Sequence, residues 1–234
     1  MTNALQVEGL ASGYGTSEVI SDVSFTLVKS EVLAVVGKNG MGKSTLLKTA
    51  LGFLRARSGA IHLLGQDVTG REPYKVARLS LAYSPQEEAL FQELTVEENL
   101  RLVQPANRRL QDGIERISEY FPIIRQRLDQ KAGTLSGGEQ KMLIISRALL
   151  VEPHLILIDE ISEGLQPSVI DRLADILRRE RQRTGVSILL VEQNVTFALS
   201  VADRYAILKI GEIAAAGRVT GPETAASVHA HLRI

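Results

Sequence analysis

Residues 37–45 read GKNGMGKST, from Gly37 to Thr45. An apolar run, residues 32–36, leads into the stretch, and helix-forming residues 46–51 lead out toward Gly52. Strand, glycine turn, Lys-Ser, helix is the phosphate-loop order G-x-x-x-x-G-K-[ST] in the context it requires. Gly37, Gly40 and Gly42 let the backbone turn tightly and present its N–H groups to phosphate oxygens with no Cβ in the way. Lys38, Asn39, Met41 and Thr45 complete the same cradle. A helix starting near Lys43 aims its free N–H groups and positive dipole end at the same anion. Lys43 carries a full charge to the outer phosphates, and the Ser44 hydroxyl suits Mg²⁺. The stretch predicts a ligand with a phosphate tail.

At 234 residues the chain has room for one large α/β domain, or for a core with a smaller subdomain inserted. Lys plus Arg and Asp plus Glu both number 27, so bulk charge gives no case for a nucleic-acid partner. Cysteine is absent, which excludes disulfides, thiolate metal sites and cysteine nucleophiles and suits a reducing compartment. The opening MTNALQVEGL lacks the basic-then-apolar order of a secretory signal. No apolar run reaches the ~18–20 residues needed to cross a bilayer. The most apolar segment, residues 148–158, is broken by Glu152, Pro153 and His154. The expectation is a soluble protein that meets a membrane only through a partner.

Leu5, Val7 and Leu10 sit among polar neighbours ahead of a glycine-rich stretch containing Tyr14. Residues 19–28 (VISDVSFTLV) read as strand, turn, strand. Residues 60–64 predict a short strand ending in Gly65-Gln66-Asp67, and Pro73 opens a helix reaching Ala77. Residues 79–83 predict a buried strand that stops at Ser84-Pro85-Gln86. From about 87 to 150 helical periodicity replaces strand signals, with Thr95 as an N-cap ahead of Glu97 and Glu98. This predicts a helical subdomain, residues 87–150, inserted into an α/β core made of residues 1–86 and 151–234. Beyond it come a strand at 155–158, a helix at 168–183, a strand at 186–191 and a helix at 196–202. A strand at 205–208, a hairpin half at 211–217 and a weakly helical tail finish the chain.

Residues 155–160 read LILIDE, an apolar run that fits a parallel strand buried on both faces. Ligands gather at the carboxyl ends of such strands, so Asp159 and Glu160 emerge where the phosphate loop emerges. Asp159 suits the Mg²⁺ shell, and Glu160 suits a general base toward water, or its positioning. Residues 135–140 read LSGGEQ and open a long helix through Leu150. Ser136, Gly137 and Gly138 at that N-terminus read either as a second anion site or as a Ser-capped helix start.

Phosphate loop, Gln86, LSGGE and LIDE, in this order, resemble the nucleotide-binding subunits of ABC transporters over essentially the whole chain. The resemblance implies a P-loop NTPase fold: a RecA-like α/β core, an antiparallel β subdomain and the inserted α-helical subdomain. It implies ATP and Mg²⁺ as cofactors and a head-to-tail pair of cassettes sandwiching two ATP molecules. Each ATP then lies between one subunit's phosphate loop and the other's LSGGE turn. By resemblance Tyr14 stacks on adenine, Gln86 reaches Mg²⁺ or water, and Ser136, Gly137, Gly138 and Glu139 face the partner's nucleotide. The resemblance also implies permease subunits in the membrane, a solute-binding protein acting through them, and a place on the cytoplasmic face of the inner membrane.

Three positions depart from the family pattern. Gln193, in VEQN, stands where most members carry the switch histidine; it can hydrogen-bond γ-phosphate or water but cannot become a cation. Gln166 replaces the usual aspartate of the S-x-x-L-D segment, and Ile161 replaces a proline. VEQN, GGEQKML and EGLQPS resemble ATP-binding subunits of importers for branched-chain amino acids. The Gln166-Pro167 pair also resembles urea-import members of that branch. A soluble ABC ATPase acting on nucleic acid or ribosomes is the rival class, and such relatives carry insertions that these residues lack.

Overall fold

The chain starts with two long antiparallel strands, β1 (Asn3–Tyr14) and β2 (Ser17–Val28), joined through Gly15 and Thr16. Strand β3 (Val32–Val36) runs into the glycine loop and helix α1 (Lys43–Ala50). Strands β4 (Ala56–Leu63) and β5 (Gln66–Asp67) and the one-turn helix α2 (Pro73–Val76) lead to β6 (Leu81–Ser84). Helices α3 (Val96–Arg101), α4 (Asn107–Tyr120), α5 (Pro122–Gln126) and α6 (Gly137–Leu150) follow. Then come β7 (Leu155–Asp159), α7 (Pro167–Thr184), β8 (Ser187–Glu192) and α8 (Val195–Val201). Strands β9 (Arg204–Lys209) and β10 (Glu212–Arg218) and helix α9 (Pro222–Arg233) complete it. This computed structural model describes residues 3–86, 89–104 and 106–233, so the expected boundary at residue 87 lies outside the described residues.

Strands β3, β7 and β8 are buried at every position, as parallel strands covered on both faces must be. They form a six-stranded sheet in the order β10-β9-β3-β8-β7-β6, parallel except where β10 pairs with β9. A second, antiparallel sheet has the order β2-β1-β4-β5. Alternation along β3 divides its side chains between two cores. Leu33 and Val35 pack with Leu46 and Leu47 of α1 and with Leu5 and Ile61 of the antiparallel sheet. Val32, Ala34 and Val36 belong to the core shared with Leu143, Leu173 and Phe197 on α6, α7 and α8.

Register then sets the functional edge. Val36 pairs with Glu192, Val191 with Asp159, and Ile158 with Ser84. The loops leaving β3, β8, β7 and β6 therefore start side by side.

Local differences from the sequence reading have physical causes. Residues 19–28 are not strand, turn, strand: β2 runs through, and Asp22 (φ 49°) absorbs an irregularity in the pairing. Asp tolerates that left-handed conformation, so a turn former bends the strand instead of ending it. Strand β4 starts at Ala56, four residues before the expected Ala60, because Ser58 and Ala56 pair with β1 despite their polar surroundings. Gly59 (φ 86°) makes this possible, since a Cβ there would lie 2.4 Å from the Glu8 carbonyl oxygen. Strand β6 starts at Leu81 rather than Leu79, whose N–H closes a turn on the Val76 carbonyl. Thr95 caps α3 as expected, in a reciprocal box with Glu98.

Leu189 is fully buried in the central strand β8. Leu189→Ala should lower unfolding free energy by about 2–5 kcal/mol, read as a lower urea midpoint at unchanged slope.

Candidate nucleotide site

The glycine loop is shaped by its neighbours. The Gly37 N–H donates to the Glu192 carbonyl (3.2 Å), and a Cβ on Gly37 would lie 2.5 Å from the Leu208 carbonyl oxygen. Gly42 (φ 100°) stands at the N-cap of α1, where no side chain caps the helix. The first turn of α1 also lacks acidic residues, so its N–H groups stay available to an anion. The β9–β10 turn props the loop: the Ile210 N–H donates to Met41 Sδ (3.2 Å) and the Gly211 N–H to the Met41 carbonyl (3.3 Å).

Behind the loop sits a buried charge cluster. Lys43 Nζ donates to the Lys38 carbonyl (2.8 Å) and lies 2.8 Å from Glu160 Oε1. Gln86 Nε2 donates to Glu160 Oε2 (3.0 Å) and to Glu163 Oε2 (2.7 Å). Glu160 takes the left-handed φ of 45° and is tied at both backbone groups. Its N–H donates to the Val191 carbonyl (2.9 Å), and its carbonyl accepts from Lys141 Nζ (3.2 Å).

Burial pushes the Asp159 carboxyl up to about 6; the Glu160 charge adds to the rise, while Ser44, Lys43 and Lys48 oppose it. Burial, with help from the Asp159 charge, also pushes up the Tyr83 phenol. Asp159 Oδ1 is buried with no hydrogen-bond partner among the described residues. An unpartnered carboxylate oxygen beside the Ser44 hydroxyl is a hard-oxygen donor pair that fits a divalent cation such as Mg²⁺. Among the described residues no cluster of three His, Cys, Asp or Glu could hold a metal alone. Such a cation would complete its shell with phosphate and water oxygens.

A trough runs along this edge. Its smaller part, about 280 Å³, is lined by Asn39, Gly40, Lys43, Thr45 and Glu160; the larger, about 720 Å³, reaches from Tyr14 to Asp159. Both parts share Ser44 and Gln86. Tyr14, the last residue of β1, is half exposed. The structure thus gathers the glycine loop, Gln86, Asp159 and Glu160 along one trough with Tyr14 at its far end.

Other expected residues stand apart from it. Ser136 caps α6 in a reciprocal box with Glu139, whose carboxyl its hydrogen bonds hold below the usual range. Ser136, Gly137, Gly138 and Glu139 line neither part of the trough. Gln193 is exposed directly after β8 and lines neither part.

Glu192 is a functional-site residue that the sequence pattern does not single out. This buried carboxylate accepts from the Ser162 N–H (3.0 Å) and Ser162 Oγ (2.8 Å), so it ties the end of β8 to the segment after Glu160. Burial raises its pKa while the bonds from Ser162 and the Asn194 backbone lower it. The available signal was an acidic residue closing an otherwise apolar run. Glu163, bound by Gln86, and Lys141 were missed because both read as surface charges.

Residues 20–163 match the family model described as ABC transporter. The chain belongs to the ABC transporter family. The cassette is 40% identical over 211 residues to the high-affinity branched-chain amino acid transport ATP-binding protein BraG of Pseudomonas aeruginosa, covering 89% of this chain and 90% of that one. It is 37% identical to the probable branched-chain amino acid transport ATP-binding protein LivF of Archaeoglobus fulgidus, covering 90% of each. The lipopolysaccharide export protein LptB of Haemophilus influenzae is 35% identical over 91% of this chain and 90% of its own. A solved ATP-binding subunit of an ABC transporter superposes with a TM-score of 0.86 at 29% identity, covering 99% of this chain and 100% of that one.

The Asp159 shift makes the cassette's stability depend on pH. A carboxyl raised from 3.8 to about 6 stabilises the fold in its protonated form, fully below pH 4, and loses that contribution as pH rises through 6. Asp159→Asn mimics the protonated form. In nucleotide-free, metal-free buffer its melting temperature should exceed wild type by a few degrees at pH 8, with the gap narrowing toward pH 5.

Proposed function

We propose that this chain is the ATP-hydrolysing subunit of an importer for branched-chain amino acids or closely related small polar solutes. The observation that carries ATP turnover is the convergence of Lys43, Ser44, Gln86, Asp159 and Glu160 on one trough at the strand ends. The names of the relatives BraG and LivF support the solute class.

In this reading adenine stacks on Tyr14 and the phosphates lie in the loop from Gly37 to Thr45. Ser44 and Asp159, with Gln86 beside them, would hold Mg²⁺, which when bound neutralises charge on the outer phosphates. Lys43 exchanges its bond to Glu160 for the γ-phosphate, which frees the Glu160 carboxylate. Glu160 then takes a proton from the attacking water as the water oxygen bonds to the γ-phosphorus and the bond to the β-phosphate oxygen breaks. Gln193 hydrogen-bonds the γ-phosphate or the water. A second cassette, a copy or a relative of this chain, supplies its own Ser136–Glu139 turn to close the site. Preferential ATP binding to the closed pair moves the attached permeases.

Among the described residues no helix is long and apolar enough to cross a membrane. In this reading the cassette sits on the cytoplasmic face of the inner membrane, attached to its permeases. A groove of about 680 Å³ lined by Phe53, Tyr83, Leu102, Ile144 and Arg147 supports this attachment. Phe53 and Leu102 leave more than half their surface open there, an apolar area suited to a partner.

The test uses the cassette assembled with its permeases and second cassette. Lys43→Ala should lose ATP binding, whereas Glu160→Gln should bind ATP, lose at least about 100-fold of phosphate release and accumulate as a closed pair. Binding protein loaded with leucine should stimulate wild-type turnover. Phosphate release equal to the Glu160→Gln control would remove the hydrolytic reading, and stimulation by urea-loaded binding protein alone would move the solute.

A further inference from the structure

Arg57 holds the hairpin that carries Tyr14. Its side chain comes from β4 at a break in the pairing with β1: Ala11 pairs with Ser58, Ser12 pairs with Ala56, and Arg57 is the extra residue between them. An extra residue in one strand re-aims its side chain, and here the guanidinium turns onto the β1–β2 turn. Arg57 Nη2 donates to the Gly15 carbonyl (2.8 Å) and the Ser17 carbonyl (2.7 Å), while Nη1 donates to the Thr16 carbonyl (3.2 Å). Three carbonyls in a row accept from one planar fork, whose donors are spread over two nitrogens in fixed directions, unlike those of an ammonium.

The base of the hairpin is tightly packed. Gly13 has no room for a side chain, since a Cβ would lie 2.1 Å from the Ser17 carbonyl oxygen. Beyond it Gly15 takes φ 53° and a Cβ there would meet nothing within 4 Å. Tyr14 pairs with Ser17 across the turn and is 48% exposed, so its ring takes its place from the backbone of this hairpin. Whatever orders the turn orders the ring.

We propose that Arg57 is a positioning residue for the nucleobase: by clamping the carbonyls of Gly15, Thr16 and Ser17 it pre-sets the Tyr14 ring for stacking. This rests on the reading of Tyr14 as the adenine platform. Pre-ordering raises affinity by removing the cost of fixing the turn and the ring on binding. The effect belongs to the base alone, because Arg57 lines neither part of the trough. Arg57 is exposed, so its replacement leaves both cores untouched.

The experiment titrates the full chain with ATP and, separately, with inorganic tripolyphosphate, which has phosphates and no base. Calorimetry compares wild type, Arg57→Ala, Arg57→Lys, Tyr14→Ala and the Tyr14→Ala/Arg57→Ala double variant. Arg57→Ala should weaken ATP about three- to ten-fold, with tripolyphosphate within about two-fold of wild type. Arg57→Lys should fall between, and the double variant should bind ATP no more weakly than Tyr14→Ala. If Tyr14→Ala weakens ATP and Arg57→Ala does not, the clamp is overturned and stacking stands. Equal weakening of ATP and tripolyphosphate by Arg57→Ala would also overturn it, by assigning Arg57 to the phosphates. Unchanged ATP affinity in Tyr14→Ala would remove the stacking reading and the clamp together.

Discussion

Parallel pairing in register between strands buried on both faces is the constraint from which the site follows. Along β3, β7 and β8 a polar side chain would need a buried partner, so the chemistry is displaced to the strand ends. Strand β7 has Leu155, Ile156, Leu157 and Ile158 inside and meets its first carboxylate at Asp159, opposite Val191. The same register sets Val36 opposite Glu192, so the glycine loop and the turn after β8 leave from one level. A slip of one residue would exchange the two faces of the strand and draw Asp159 into an apolar core.

At those ends the electrostatics resist a simple reading as stabilisation. Asp159 and Glu160 are adjacent, buried and alike in charge, and the rise of Asp159 reflects mainly its burial. Lys43 offsets part of this through its 2.8 Å approach to Glu160, with both side chains almost closed to water. A buried pair of this kind is poor evidence for net stability, because removing each ion from water costs several kcal/mol. Its consequence lies in what it makes possible. Glu160 occupies a left-handed backbone conformation that costs on the order of 1–3 kcal/mol for a side chain of its type. Lys43, Gln86, Lys141 and the Val191 carbonyl together hold it there. A phosphate that draws Lys43 away would leave Glu160 held by the other three and open to water.

The strongly patterned parts of the molecule were legible in the sequence. Apolar runs marked β3, β7 and β8, Thr95 and Ser136 marked two helix starts, and the glycine loop marked the trough. Where local composition argued against the tertiary pairing, the reading failed. Residues 19–28 were expected to turn, yet β2 passes through Asp22, and the strand expected from Ala60 already pairs with β1 at Ala56 and Ser58. The strand-end rule brought Asp159 and Glu160 to the glycine loop, but most individual side-chain contacts between distant segments were not legible. Gln86 to Glu163, Glu192 to Ser162 and Arg57 to the turn at residues 15–17 join segments whose meeting is decided by the sheets. Glu192 and Glu163 look alike as letters, and only burial separates a tie beneath the site from a partner at its surface.

The same ties connect the trough to the helix start that stands apart from it. Ser136 caps α6, and Lys141 on the second turn of that helix donates to the Glu160 carbonyl. A Cβ on Gly138 would touch Leu165 Cδ2 at 3.6 Å, so the first turn of α6 also faces the segment after Glu160. That segment is held at Ser162 by Glu192, one residue before Gln193. Packed interiors transmit small displacements because they leave little free volume to absorb them. Lys141 links the helix that Ser136 caps to the backbone that sets the Glu160 carboxylate. A helix start outside the trough is thus tied to the backbone inside it without lining it.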